Sequence, residues 1–300
     1  MVPSFRGILA VILYLSLCVF ESGCISVWKD ITLSQDEKHA LDKFKTVMNG
    51  SLPHDYMEKD VFLIKWLRAK NLNIRGAEKM LRQVKSYLKP LHPWETHISA
   101  LLALSSNSHL AFRKEYRMDT IADEDFGNLV YEYAYSTDGV DYEGRPVLAL
   151  NAADWDIRRG ILSGQKDHII RWSLRAYEIG NRRVRELQNS GQNVTQFVMV
   201  CNFDGFNIIQ HACLQCIDVI VNFLVTYENN FPGMADSIIA IKTPQTFDLV
   251  LRALTSVMSK ETREAVKIWG PNRDEWQTNL LKQIPADQLD EEFGGTRNTL

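Results

Sequence analysis

Cysteine is scarce, with 5 in 300 residues, too few for disulfides to stand in for a hydrophobic core in a chain of this length. An excess of basic charge is lacking too. The 34 Lys and Arg stand against 37 Asp and Glu, a net charge of -3, whereas a general nucleic-acid binder needs a basic surface to neutralise phosphates. Nucleic acid is therefore not an expected partner. No fixed repeat period, low-complexity tract or heptad run occurs, which removes solenoid, collagen-like and coiled-coil architectures. Catalytic signatures are missing as well: there is no GxxxxGKS/T phosphate loop, GxGxxG turn, GxSxG elbow or HExxH helix.

The scattered polar residues do not make up for those absences. His39, His54, His92, His97, His109, His168 and His211 are spread along the chain, and read as solvated or capping side chains. Asp154 and Asp156 flank Trp155 after a strand-like run and read as loop carboxylates rather than an acid–base pair. Cys213 and Cys216 form a CxxC, but no second pair completes a zinc quartet. Lying inside a long apolar run, they read as small apolar residues on a buried helix face. No catalytic residue, metal ligand or cofactor is assigned, and an enzyme is not expected.

What is present begins with residues 1–24, MVPSFRGILAVILYLSLCVFESGC. Arg6 precedes an apolar run from Ile8 to Phe20, and the small residues Ser22, Gly23 and Cys24 follow, the layout of a secretory signal peptide. The run is short for a membrane span, which needs about 20 apolar residues. Asn49-Gly50-Ser51 and Asn193-Val194-Thr195 are glycosylation sequons in loop-like stretches. A secreted glycoprotein is the expectation, with a cytoplasmic location if the leader does not function.

From residue 30 to 110 the pattern is helical. Ser34-Gln35-Asp36-Glu37 reads as a capping box, followed at helical spacing by Ala40, Leu41, Phe44, Val47 and Met48. A second helix carries Val61, Ile64, Trp66 and Leu67, and a third runs from Ile74 to Leu88, stopped by Pro90 and Pro93. From about residue 115 to 300 strand and helix alternate. GNLVYEYAYST, VDYEGRPVLALNAADW with its Glu143-Gly144 turn, TQFVMVCNFDG and DSIIAIKTP read as strands. DHIIRWSLRAYEIGNRRVRELQ and NIIQHACLQCIDVIVNFLVTYENNF read as helices between them. The fold class expected is α/β: a mixed or parallel sheet covered by helices, preceded by a small all-helical amino-terminal unit.

Several of these segments together resemble the CRAL-TRIO lipid-binding family, which includes phosphatidylinositol and tocopherol transfer proteins. FLIKWLRAKNLNIRGAEKML resembles its helical amino-terminal cap, YEGRPVLAL its first core hairpin and VMVCNFDGFNI its central strand and turn. YENNFPGMADSIIAIKTPQTF resembles the stretch before its mobile gate helix, and LLKQIPADQLDEEFGGT its closing segment. The resemblance implies an enclosed apolar pocket that holds a hydrophobic small molecule or lipid. Its wall would include Phe197, Met199, Cys201, Ile239 and Ile241. Its gate would carry Phe247, Val250, Leu251 and Leu254, extended by Val257 and Met258, opposite Asp248, Arg252 and Thr255. Periodicity alone fits an ordinary core-packed helix equally well, and the resemblance supplies the gate.

Departures from the family pattern bear on the ligand. Pro232-Gly233-Met234 stands where phosphatidylinositol-binding members carry Pro-Glu-Arg, and Ala265 where they carry Lys. Phe197 and Met199 replace hydroxyl residues that hold a choline headgroup in some relatives. Burying a phosphate without partners is very costly, whereas an apolar wall gains roughly 0.8 kcal/mol per buried methylene. A sterol, isoprenoid, retinoid or acyl chain is favoured, and Gly233→Glu with Ala265→Lys is expected to improve phosphatidylinositol binding. A monomer that meets membranes transiently and carries lipid between them is the reading, with an intracellular lipid sensor or adaptor of the same fold as the alternative. The chain made in its own cells should begin between Ile25 and Val27 and carry sugar at Asn49, Asn193 or both. Retention of Met1, with no mobility shift on glycosidase treatment, contradicts secretion.

Overall fold

The computed structural model describes residues 25–82, 108–211, 213–255 and 257–297. The leader with Cys18 and Cys24, the helix continuation through Val84, Tyr87 and Leu88, and His92 and His97 lie outside the described residues. Helix α1 (Ile25–Ile31) leads into α2 (Gln35–Met48), whose start is fixed as the sequence predicts. Ser34 Oγ accepts from the Glu37 N–H at 3.2 Å, and Glu37 Oε2 accepts from the Ser34 N–H at 2.9 Å. Helices α3 (Asp60–Arg68) and α4 (Ile74–Arg82) pack on α2, burying Leu41, Phe44, Met48, Ile64, Trp66 and Leu81 in one cluster. Both sequons begin with exposed asparagines, Asn49 at the end of α2 and Asn193 in the loop before the central strand.

After α5 (His109–Glu115) and α6 (Leu129–Glu132), five strands form one sheet in the order β1-β2-β3-β4-β5. These are β1 (Tyr135–Val140), β2 (Pro146–Asn151), β3 (Phe197–Asn202), β4 (Ala235–Ile241) and β5 (Val266–Ile268). The β1–β2 hairpin is antiparallel and every other pair is parallel, so the sheet is mixed. Between the strands run α7 (Ile157–Leu162), α8 (Lys166–Asn189), α9 (Ile208–His211), α10 (Leu214–Asn230), α11 (Phe247–Thr255) and α12 (Lys260–Ala265). The closing α13 (Arg273–Leu281) lies across the sheet: Trp276, Leu280, Ile284, Leu289 and Phe293 bury Val147, Ala149, Val198, Val200, Ile239 and Ile241.

Two stretches differ from the sequence reading. The first half of GNLVYEYAYST is helical, because Leu129 and Tyr133, four apart, bury on one side while Tyr131 faces out. The run from Asn207 to Phe231 is two helices rather than one: Cys213 is the N-cap of α10, and it is disulfide-bonded to Cys216. The pair is thus not a matched set of inert apolar residues. Bridging N-cap to third helical position fixes the first turn of α10 covalently. Two histidines read as solvated are buried. His211 accepts from the Asn207 N–H at Nδ1 (2.9 Å) and contacts Ala153 O through Nε2 (2.7 Å). His109 sits 4.9 Å from the Trp66 ring, and burial pushes its pKa down to about 3. Asp156 caps α7 through the Arg159 N–H and also accepts from Gln210, a structural role.

The amino-terminal unit docks through buried polar contacts. Lys65 Nζ donates to Thr195 O at 2.6 Å, Arg113 pairs with Glu178 at 2.9 Å, and the Arg185 guanidinium lies 4.5 Å over the Tyr56 ring. At this seam Tyr56 OH, Asn181 Oδ1 and Thr195 Oγ1 lack partners among the described residues, around a cavity of about 50 Å³. That volume has room for bridging water.

Across the hairpin the order is held by one cation. Arg145, 5% exposed, meets Asp141 at 2.6 Å, Asp236 at 2.9 Å and Glu143 at 3.3 Å, and so ties the β1–β2 turn to β4. Gly144 completes that turn at φ 76°, a conformation glycine adopts without strain. Removing the guanidinium leaves the Asp141 carboxylate buried and unneutralised, and breaking a buried pair costs about 3–5 kcal/mol. Arg145→Leu should lose stability in that range in urea denaturation. A loss below about 1 kcal/mol contradicts this role for Arg145.

Candidate ligand-binding site

The sheet face opposite α13 is built of in-register rows. Leu148, Met199, Ile238 and Val266 form one row across β2, β3, β4 and β5. Leu150, Cys201, Ala240 and Ile268 form the next. Every row member is apolar or a thiol, so the wall offers no charge. Phe197 belongs to the same face and packs with Met199. Helices α8 and α10 stand over this wall with Tyr177, Ile220, Phe223, Tyr227 and Phe231.

Of the wall residues named from sequence, Phe197, Met199 and Cys201 come together here, but Ile239 and Ile241 do not. They pair with Val200 and Asn202, point to the other face and are covered by α13. The physical reason is the period of two along a strand: once Met199 and Cys201 face the helices, their β4 neighbours Ile238 and Ala240 do so as well. Ile238 and Ala240 are therefore the wall residues that sequence reasoning missed. Since β4 reads apolar at both parities, only the register separates the two pairs, and that register shifts between Phe197 and Val198.

Cys201 on this wall and Tyr177 above it are half-buried. Burial pushes the Cys201 thiol up to about 12, yet the residue is only half-covered by neighbours. Burial also drives the Tyr177 hydroxyl far above the usual tyrosine range, with Tyr227 and Cys201 adding to the rise. Tyr177 is half-covered too, and its hydroxyl has no hydrogen-bond partner among the described residues. Tyr227 differs, because its hydroxyl accepts from the Ala235 N–H at 3.0 Å.

Helix α11 closes one end. Phe247 (7% exposed) and Val250 (4%) are buried, Leu251 and Leu254 are half-buried, and Asp248, Arg252 and Thr255 are exposed. The Phe247 ring lies 4.5 Å from Phe203 and 5.9 Å from Phe206, and the cluster continues through Ile208, Ile217 and Ile268. Ile268 ends the second wall row, so the gate stripe and the wall are continuous. The stripe stops at Leu254. Val257 lies past the helix end and is exposed.

The region where phosphatidylinositol-binding relatives place charges is a groove of about 480 Å³ near Gly233 and Ala265. Two of its cations, Lys65 and Arg68, are already engaged. Lys65 contacts Asp30 at 3.4 Å, Arg68 bonds Asp30 at 2.6 Å and Glu37 at 2.8 Å, and Glu261 and Glu264 add negative charge to the rim. Burial lowers the Lys65 pKa despite Asp30. Gly233 has φ 63°, where a side chain costs about 1–2 kcal/mol, so Gly233→Glu strains the backbone and is not the simple restoration that sequence suggests. Among the described residues no three metal-ligating side chains come together, and no helix is long and apolar enough to cross a membrane.

Comparison with known proteins agrees with this architecture. The family profile of the CRAL/TRIO domain matches residues 131–295. Protein real-time of Drosophila pseudoobscura pseudoobscura is 22% identical over 226 residues, covering 73% of this chain and 34% of that protein. Protein real-time of Aedes aegypti is 22% identical over 261 residues, covering 85% and 35%. The chain thus spans about a third of the length of the curated relatives it matches. The crystal structure of Sfh5 superposes with a TM-score of 0.60 at 14% identity, covering 89% of this chain and 90% of that one, which shows a shared fold. With more than half of its residues matched by the profile, and with the mixed sheet and helical cover in place, the chain belongs to the CRAL/TRIO family, a family of lipid-binding and lipid-transfer proteins.

Proposed function

We propose that this chain holds one uncharged lipid-like molecule between the inner sheet wall and helices α8, α10 and α11, and transfers it between membranes as a monomer without chemical turnover. The observation that carries this reading is the uncharged double row on the sheet, where Cys201 and Ile238 are only half-buried, beside an amphipathic helix packed at its end. A wall of this kind gains free energy from every methylene it covers. It has no cation for a buried phosphate, whose desolvation would then be uncompensated. Tyr177 OH and the Cys201 thiol are the polar points on the wall, and suit a single hydroxyl or carbonyl oxygen.

Secretion belongs to the same reading. The leader and sequons motivate it, and a Cys213–Cys216 disulfide is stable in an oxidising compartment. Release requires α11 to lift from Phe203 and Phe206, after which its apolar stripe can lie in the headgroup boundary of a membrane. Truncating Phe247 removes ring contacts made only in the closed state, so the closed state loses more than the open one. Phe247→Ala should therefore speed transfer of retinol, cholesterol or palmitate between phosphatidylcholine vesicles by about tenfold or more, since 1.4 kcal/mol is a factor of ten. The milder Leu254→Ala should move the rate the same way by less. Unchanged exchange in folded variants of both sinks the gate, and failure of the unmodified protein to take up any of the three lipids sinks the carrier reading.

A further inference from the structure

Cys213 and Cys216 pack with Trp155, Ile157 and Trp172 rather than against the gate, but they are next in the chain to segments on which the gate rests. Cys213 ends the segment that contributes Phe206 and Ile208 to the gate cluster, and Cys216 lies one residue before Ile217, which contributes from α10. The disulfide therefore braces the start of α10 immediately before Ile217, the α10 residue of the bed on which Phe247 and Val250 lie. Its two ends differ in access: Cys213 is half-buried, whereas Cys216 has no exposed surface. Cys213 also caps a helix of 17 residues, its sulfur accepting from the Cys216 N–H at 3.2 Å. A thiolate released at such a position is stabilised by the free amides of the first turn.

We propose that Cys213–Cys216 is a redox clasp for the gate: reduction by a dithiol frees the first turn of α10 and loosens α11, so that the ligand is released faster in a reducing environment than in an oxidising one. The thiolate of the dithiol attacks Cys213 Sγ, the reachable sulfur. The S–S bond breaks, its electron pair remains on Cys216 Sγ, which takes up a proton, and a mixed disulfide forms at Cys213. The reductant's second thiolate then attacks its own sulfur in that mixed disulfide, releasing Cys213 as a thiolate that is protonated in turn. Two electrons and two protons pass to the protein, and the reductant leaves as a cyclic disulfide.

This inference rests on reading α11 as a gate, but it is testable without any lipid. Hydrogen exchange followed by mass spectrometry on the full chain, with and without dithiothreitol, reads the amides of residues 247–255 against those of β3 as an internal reference. Reduction should speed exchange in residues 247–255 by about tenfold while β3 stays protected, and the Cys213→Ser/Cys216→Ser variant should show the fast pattern in both conditions. If that variant does not fold, the reduced unmodified protein supplies the same comparison. Equal gate exchange in both redox states overturns the clasp. A clear redox effect on α11 with no lipid uptake by the protein would instead keep the clasp and discard the carrier reading.

Discussion

A strand in the middle of a parallel sheet has two buried faces, and each face needs a cover. Here the two covers differ in kind. One face is sealed by the closing segment of the chain, where Trp276, Leu280, Ile284, Leu289 and Phe293 interdigitate with valines and isoleucines of β2, β3 and β4. That face carries the stability expected of a close-packed core. The opposite face is met by α8 and α10, and there Cys201, Ile238 and Tyr177 stay half-buried. The unequal cover would let one sheet serve as both a rigid floor and the binding wall of the proposed function. Because the floor is fixed from behind by α13, the front can open without unfolding the sheet.

Opening falls to the least entrenched element. Helix α11 is nine residues long and is held mainly by Phe247 and Val250 against an aromatic bed. By contrast, the helical unit at the amino terminus is anchored by Lys65, Arg113 and Glu178 in a buried polar seam, where breaking one partner strands another charge. A short helix on an apolar bed costs far less to lift. The Cys213–Cys216 bridge braces the start of α10 beside that bed, next to the element whose motion the proposed function would need.

Much of this was legible in the residues. The capping box at Ser34 fixed the start of α2, and the change from helical to alternating period marked the passage from the amino-terminal unit to the sheet. The apolar stripe of α11 was read correctly from Phe247 to Leu254, because amphipathic periodicity survives whatever lies beneath it. What failed was parity. A parallel strand buried on both sides shows no polar residue to mark its faces, so Ile239 and Ile241 were indistinguishable from Ile238 and Ala240. Register decides, and register is a property of two strands rather than one. The CxxC was misread for a related reason: Cys213 looks like helix interior until the break after His211 makes it a cap. Burial of His109 and His211 depends on docking between distant segments and leaves no local signal.

The central claim is that the inner face of the sheet holds one uncharged lipid. Native mass spectrometry of the protein isolated from the cells that make it, without detergent, tests this most directly. The account predicts a single added mass per chain that organic solvent extracts and that corresponds to a lipid lacking phosphate. A stoichiometric phosphoinositide, or preparations that carry no added mass even after exposure to a total lipid extract, would contradict it.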